Sequence, residues 1–226
     1  NSDDDFDGLD DQTVSVDTLD DDVAGFTIEE TDAATEVDES GSTDTFTIVL
    51  DAQPTNDVVV LATASNDETE AIVSGSITFT SENWDTPQTV TVTGVDDDLV
   101  DGDQTYDITI SIVDTISDDD FDGVADQSVS STTLDDDAPG FTIEETDAAT
   151  EVDESGSTDT FTVVLDAQPT SDVVLTITSD DTGEATVHNP LTFTPVNWDT
   201  PQTVTVTGTD DDLVDGTITS TITIAV

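Results

Sequence analysis

Short runs in which Thr alternates with Val, Ile or Phe recur along the whole chain. The clearest are Thr45–Leu50, Asp57–Thr63, Ser76–Thr80, Gln88–Val95, Thr105–Val113 and Gln127–Leu134, and weaker ones are Phe26–Glu29 and Ala71–Val73. A period of two is typical of strands that bury one face. Turn-forming segments such as DAQPT and ENWDTP separate the runs, and no stretch has the apolar spacing of a helix. We therefore predict an all-β chain of immunoglobulin-like antiparallel β-sandwiches.

The pattern occurs twice. FTIEETDAATEVDESGSTDTFT begins at Phe26 and again at Phe141, and WDTPQTVTVTG begins at Trp84 and again at Trp198. A repeat of about 115 residues has the size of one small sandwich domain. We predict a first sandwich over residues 25–137 and a second over residues 138–226, which stops before its own final loop and strand.

Residues 1–24 match the end of a repeat, residues 117–139, and not its beginning. We expect this segment to be the C-terminal tail of a preceding repeat or a segment donated to a neighbour. Either way, the expected partners are neighbouring copies of the chain itself, in a tandem array or a homopolymer.

The charge of the chain is one-sided. Among 226 residues there are 56 Asp and Glu, no Lys or Arg, one His and no Cys, which gives a formal charge of -56. Phosphate clamps, lysine Schiff bases and thiol chemistry are therefore excluded, and nucleic acid and anionic membranes would repel the chain. No apolar run is long enough to span a bilayer, so we expect no membrane insertion.

Most acidic residues stand in runs at the predicted loops, as in Asp96–Asp98, Asp135–Asp137 and Asp210–Asp212. Adjacent carboxylates repel each other, and the chain offers no amine or guanidinium to neutralise them. Bound hard cations would do so, and Ca²⁺ takes about six to eight oxygen ligands of this kind. We predict Ca²⁺ as the cofactor, bound at the ends of the sandwiches where one module meets the next.

The sharpest local pattern is D-x-D-x-D-G. It is found at Asp3, Asp5, Asp7 and Gly8, and again at Asp118, Asp120, Asp122 and Gly123, each followed by an acid at the ninth loop position, Asp11 or Asp126. Alternate carboxylates before a turn-forming Gly match the first half of a calcium loop. The twelfth position is Val14 or Val129 and not Glu, so the loop is not an EF-hand. A calcium loop closed by an acid from elsewhere is favoured over a solvated acidic turn.

The segments TDTFTVVLDAQPTSDV, LTFTPVNWDTPQTVTVTG, DDDLVDG, SDDDFDGVADQSV and TLDDD, in this order, resemble the Calx-beta-like repeats of large bacterial cell-surface and secreted proteins. The resemblance covers both copies. It implies calcium-binding sandwiches and a cell-surface or extracellular location. The FDG loop is an insertion relative to that family, and Asp101 or Asp103 stands where the family usually has Glu.

The ligands that the resemblance implies in the first copy are Glu39, Asp67, Asp97, Asp98, Asp101, Asp135, Asp136 and Asp137. In the second copy they are Glu154, Asp181, Asp211, Asp212 and Asp215.

Together these features predict a non-enzymatic structural protein, a calcium-stiffened fibre, stalk or adhesin of a prokaryotic cell surface. Two alternatives stay open. One is a carbohydrate-binding module that stacks surface polysaccharide on an exposed Trp84 or Trp198, although anchoring in the core is the more usual role of such residues. The other is that the acidity only reflects a salty habitat. His188 occurs in one copy alone, which argues against a catalytic role shared by the repeats.

Overall fold

The structure is a computed structural model that describes residues 5, 8–32, 34–65, 69–147, 149–188, 190–214 and 216–226. Its regular structure is almost entirely strand, with two short 3-10 turns at Asp114–Ile116 and Asp119–Phe121. The predicted all-β, antiparallel sandwich class is confirmed.

The first sandwich is built from strands β1 to β9. Their bounds are β1 Phe26–Glu30, β2 Thr35–Asp38, β3 Thr43–Leu50, β4 Val58–Ala64, β5 Ala71–Val73, β6 Ser76–Phe79, β7 Gln88–Gly94, β8 Gln104–Ile112 and β9 Gln127–Leu134. One sheet has the order β1-β3-β7-β5 and the other the order β2-β9-β8-β4-β6. The pairing is antiparallel except between β2 and β9, which run parallel.

The alternating pattern places the core as predicted. On β3, Phe46, Ile48 and Leu50 are buried, while Thr47 and Val49 between them lie on the opposite face and are half-buried. β4, β7 and β8 contribute to the same core in the same way. β2 was not predicted, because its four residues, TEVD, include two acids and are too short to show a clear alternation.

The second sandwich is built from strands β10 to β16. Their bounds are β10 Phe141–Glu145, β11 Thr158–Leu165, β12 Val173–Ser179, β13 Ala185–Val187, β14 Leu191–Phe193, β15 Gln202–Gly208 and β16 Ile222–Ala225. One sheet, β10-β11-β15-β13, repeats that of the first sandwich, whereas the other contains only β14-β12-β16. Within the described residues, no strand corresponds to β2 or β9 in this second sheet.

The two sandwiches are joined by more than the chain itself. Leu99, in the acidic loop between β7 and β8, forms an isolated parallel bridge with Gln168, in the loop between β11 and β12. The Gln168 amide donates to the Asp98 carbonyl at 2.6 Å, and the Val100 amide donates to the Gln168 carbonyl at 3.2 Å. These contacts define the seam, which is formed by Asp98–Val100 and Gln168.

Candidate metal centre

Glu39 directly follows β2 and lies inside the protein, with 1% of its surface exposed. Its amide donates to the Leu134 carbonyl at the end of β9, which continues the parallel pairing of these two strands. On the other side, β7 approaches β2 so closely that a Cβ at Gly94 would lie 1.9 Å from the Asp38 carbonyl oxygen. Only Gly allows this approach, so Gly94 helps to hold Glu39 in place.

Three carboxylates converge at this end of the first sandwich. Oxygens of Glu39, Asp135 and Asp137 all lie within 4.8 Å of one another. Glu39 Oε2 and Asp137 Oδ2 are buried and have no hydrogen-bond partner among the described residues. A buried carboxylate oxygen without a partner is costly, so both oxygens are suited to bind a cation.

Backbone donors hold the second half of this cluster in shape. The amides of Gly102 and Asp137 donate to the Asp135 carboxylate at 2.7 and 2.8 Å. The Asp135 amide donates to Asp103 Oδ1 at 3.2 Å. Gly102 has a φ of 76°, a conformation that favours Gly. The turns after β7 and β9 are therefore tied to each other through Asp135.

The carboxylates of the cluster have no positively charged side chain beside them, and the pKa values of Glu39 and Asp137 are raised. Burial, together with the nearby charges of Asp97 and Asp135, raises the pKa of Glu39 to about 7. Burial and the aspartates at 135, 136, 98 and 97 also raise the pKa of Asp137. Near neutral pH Glu39 either holds a proton or needs a cation beside it, and the sequence has no Lys or Arg to supply one.

The donor set fits Ca²⁺. It consists only of oxygens, and Asp97, Asp98 and Asp101 lie close enough to influence the charge of Glu39, Asp137 or Glu70. Hard oxygen ligands in a flexible arrangement are the preference of Ca²⁺, whereas Zn²⁺ sites draw on His and Cys. Glu39, Asp135 and Asp137 would form the inner part of the site.

Glu70 is a further carboxylate near this cluster that the sequence analysis did not predict. Burial raises the pKa of Glu70, and so do Asp101 and Asp97, which places its carboxyl group beside the cluster. Its carbonyl also accepts from the Val95 amide and the Thr133 hydroxyl. Glu70 comes from the loop before the three-residue strand β5, where the sequence has no clear periodicity, so only the repeat of this Glu at Glu184 could have drawn attention to it.

The D-x-D-x-D-G loop after β8 is organised differently. Asp118 is 3% exposed, and its Oδ2 accepts from the amides of Thr55 and Asn56, both at 2.7 Å, and from the Thr55 hydroxyl. Its Oδ1 accepts from the Asp120 amide. The hydrogen bonds from Asn56, Asp120 and Thr55 lower the pKa of Asp118. This aspartate therefore ties two loops together through protein donors.

The other predicted ligands of this loop, Asp120, Asp122 and Asp126, are exposed. The pKa of Asp122 is raised by partial desolvation and by the nearby Asp114, Asp119 and Asp118. Within the described part of the chain, the carboxylates of this loop do not form a group of three around one point. A metal ion at this loop stays a prediction.

The remaining predicted ligands are more scattered. Asp5, Asp11 and Asp136 are exposed, and so are Asp181 and Asp212 in the second copy, while Glu154 and Asp211 are half-buried. Asp3, Asp7, Asp67 and Asp215 lie outside the described residues.

The aromatic residues are placed as anchors. Trp84 and Trp198 are partly buried and pack against the first and second cores. Their carbonyls accept from the amides of Leu50 and Leu165. Tyr106 is buried in the first core, and His188 is exposed. None of the described helical segments is long and apolar enough to cross a membrane.

Comparisons with known proteins give only structural neighbours. No family model matches the chain, and no curated protein matches it. The chain is similar to "calcium binding domain CBD12 of CALX1.1", with 15% identity, a TM-score of 0.36 and coverage of 82% of this chain and 76% of that one. It is similar to the apo form of the Calx CBD1 domain, with 16% identity, a TM-score of 0.36 and coverage of 50% and 98%.

The chain is also similar to domains 5-6 of the S-layer protein SbsC, with 19% identity, a TM-score of 0.31 and coverage of 84% of this chain and 86% of that one. With identities below 25% and TM-scores below 0.5, none of these likenesses assigns a ligand or a function. The sandwich class follows from the sheets of the chain itself.

Proposed function

We propose that this chain is a calcium-binding structural module of an extracellular fibre, stalk or adhesin. One observation carries the proposal: the buried Glu39 carboxylate, with its Oε2 unpartnered, lies within 4.8 Å of oxygens of Asp135 and Asp137. In a chain without Lys or Arg, this cluster of ionised carboxylates destabilises the fold unless a divalent cation neutralises it.

The position of the cluster suggests what the ion does. Asp97 and Asp98 belong to the loop whose residues Asp98–Val100 pair with Gln168 of the second sandwich. Asp135 and Asp137 stand where the chain leaves the first sandwich for the second. An ion bound to both segments fixes the exit of the chain relative to the loop that holds the next sandwich, and so stiffens the seam.

An extracellular setting agrees with this chemistry. Extracellular calcium modules bind with Kd values of about 10⁻⁴ to 10⁻³ M. Sites of this strength are filled only where calcium is plentiful. The near-identical tandem copies and the acidic surface are suited to a long, soluble, extended polymer.

The test is thermal unfolding in Ca²⁺ and in chelator. A ligand at about 100 times its Kd adds about 2.7 kcal/mol to the free energy of unfolding, so we expect the first sandwich to melt about 10 °C higher in saturating Ca²⁺ than in EDTA. Glu39→Gln should remove most of this shift. The matched control is Glu36→Gln, since Glu36 lies on β2, just before Glu39 in the chain, but is exposed.

The alternatives make different predictions for the same samples. If the acidity served only solubility in salt, molar NaCl would stabilise Glu39→Gln and the parent chain equally, and millimolar Ca²⁺ would add nothing. Equal melting of the parent chain in Ca²⁺ and EDTA at low ionic strength would contradict the proposal. Binding of polysaccharide stays a prediction, and the packing of both tryptophans against the cores does not favour it.

A further inference from the structure

The second sandwich has an open cleft where the first sandwich has a strand. In the first sandwich, β9 lies between β2 and β8. In the second, the segments that correspond to β2 and the start of β8, residues 149–155 and 216–222, line a cleft of about 1190 Å³. No described strand of this sandwich lies between them.

The cleft leaves apolar side chains uncovered. Ile222 and Ile224 are only half-buried, whereas their counterparts on β8, Ile108 and Ile110, are fully buried. Val152 is half-buried, whereas its counterpart Val37 is 2% exposed. The cleft therefore lacks one strand with small apolar side chains at alternate positions.

The same chain contains a segment of this kind, which does not form a strand in the structure. Residues 11–22, DQTVSVDTLDDD, match β9 and the turn after it, residues 126–137, DQSVSSTTLDDD, at nine of twelve positions. Residues 9–23 form no strand or helix and are exposed throughout. Val14, Val16 and Leu19 are 88%, 81% and 87% exposed.

The alternation of this segment fits the cleft. On β9, Val129, Ser131 and Thr133 point inward and are buried, and the corresponding residues are Val14, Val16 and Thr18. The pairing of β9 with β2 and β8 transfers without gaps: Val16 would face Thr150 and Ser220, and Val14 would face Ile222.

Two sequence differences between the copies favour binding of this segment in the second sandwich over the place that β9 occupies in the first. In the first sandwich, Ser131 and Thr133 both donate their hydroxyls to the Tyr106 hydroxyl. In the second sandwich Ser220 replaces the bulky Tyr106, and in the free segment Val16 replaces Ser131. The larger apolar Val16 would thus meet the smaller Ser220 and recover part of the volume that Tyr106 fills in the first sandwich.

The free segment also carries the missing half of a metal site. Asp20 and Asp22 correspond to Asp135 and Asp137, and the Asp22 amide already donates to Asp20 Oδ1, as the Asp137 amide does to Asp135. The other half is present in the second sandwich, where the Leu213 amide donates to Asp211 Oδ1 as the Leu99 amide does to Asp97. Glu154, the counterpart of Glu39, is only half-buried.

We propose that residues 11–22 of one chain fill the cleft in the second sandwich of another copy as its missing strand. The donated strand runs parallel to residues 150–153 and antiparallel to residues 218–224. Asp20 and Asp22 of the donor then join Glu154 and Asp211 of the acceptor in a calcium site shared by two copies. This last step rests on the proposed function, whereas the strand donation does not.

Strand donation would also place the second sandwich of the acceptor against the first sandwich of the donor, in a contact like the seam. Leu213 and Val214 correspond to the seam residues Leu99 and Val100 but are 68% and 106% exposed. In the assembly they would meet Gln53 of the donor, the counterpart of Gln168. The open end of the second sandwich would then be covered in the same way as the end of the first.

The test is self-association of the full chain, measured by sedimentation velocity across a concentration series. Val14→Asp with Val16→Asp places charges in the apolar cleft and should weaken association by roughly two orders of magnitude in Kd. The matched control, Thr13→Asp with Ser15→Asp, adds the same charge to the outward face, where Ser128 and Ser130 of β9 are exposed, and should associate as the parent chain does.

Disulfide trapping tests the register. The chain has no Cys, and Ser15 and Thr221 would pair as Ser130 and Asp107 do. A mixture of Ser15→Cys and Thr221→Cys chains should form a mixed disulfide dimer on mild oxidation. A mixture of Ser15→Cys and Ser130→Cys chains should not, since the position of Ser130 is already occupied by its own strand.

Calcium binding and strand donation can fail separately. Self-association measured in EDTA tests strand donation without the ion, with about 0.5 M NaCl added to screen the acidic surfaces. The Glu39→Gln melting test concerns calcium binding in the first sandwich alone. A chain that stays monomeric, or whose association is equally sensitive to both double substitutions, overturns the proposal. So does a mixture of Ser15→Cys and Thr221→Cys chains that forms no mixed disulfide dimer.

Discussion

At the scale of single residues, a pattern of carboxylates did not reveal what each carboxylate contacts. The D-x-D-x-D-G loop gave the sharpest metal signal, yet Asp118 is occupied by donors from Thr55 and Asn56, more than 60 positions away in the chain. Glu39 was expected only through a family resemblance, because a lone Glu in ESGST has no local signature. Its burial depends on β2 pairing with a strand about 95 residues later.

The raised pKa of Glu39 would make Ca²⁺ binding at the proposed site pH-dependent. Glu39 has an ordinary value of 4.5 and a value of about 7 in the folded chain. Its contribution to stability is therefore complete below pH 4.5 and is lost as the pH rises through 7, so the calcium-free first sandwich should weaken over this window. Ca²⁺ needs the ionised carboxylate, so calcium affinity should rise over the same window.

Calorimetry in buffers of different ionisation enthalpy measures this directly. At pH 6 we expect Ca²⁺ binding to release protons, and at pH 8 we expect the release to fall to near zero. Glu39→Gln should release fewer protons at pH 6 than Glu36→Gln. Equal proton release from both variants would show that another group titrates.

At the scale of elements, the alternating strands and the two-fold repeat were predictable from the sequence, and eight of the nine strands of the first sandwich were found. What the sequence could not show is how the short elements pair. β2 is only four residues long and runs parallel to β9, and this pairing brings Glu39 to the turn after β9. Close approaches such as that of Gly94 to Asp38 depend on how the two sheets pack, and no hydrophobic periodicity in the sequence indicates them.

The loop after β8 offers an element-scale test, because Asp118 fastens it to the loop before β4. Asp118→Ala removes the buried carboxylate that accepts from the amides of Thr55 and Asn56, so we expect the free energy of unfolding to fall by about 2 kcal/mol. Asp120→Ala should cost far less, since Asp120 is exposed and contributes only its amide to this contact.

Urea unfolding monitored by tryptophan fluorescence compares the two variants, and calcium titration shows whether either loses an ion. A parent-like unfolding free energy for Asp118→Ala together with the loss of one bound Ca²⁺ would establish the loop as a metal site instead.

At the scale of the whole molecule, the acidic cluster lies beside the contact between the sandwiches. The bridge of Leu99 to Gln168 is short, with two backbone hydrogen bonds. A contact of this size does not by itself hold two domains in one orientation. An ion at the proposed site next to it would add ligands from both chain segments that lead to the seam.

We therefore expect calcium to narrow the range of angles between the two sandwiches. Small-angle X-ray scattering of a non-associating form, Val14→Asp with Val16→Asp, should give a narrower distance distribution in Ca²⁺ than in EDTA. Adding Glu39→Gln should abolish the difference, whereas adding Glu36→Gln should preserve it. A distribution that does not respond to Ca²⁺ in any of these chains would mean that the ion does not stiffen the seam.

The likeness of Gln53 to Gln168 has a consequence for symmetry. If each sandwich meets the next through the same few backbone contacts, the rotation between neighbours is the same within a chain and between chains. A row of copies would then coil as a regular helix whose smallest step is one sandwich. Fibre images would show an axial rise equal to the length of one sandwich. The repeat of the whole polypeptide, which is two sandwiches long, would contribute only weak additional reflections to the diffraction pattern.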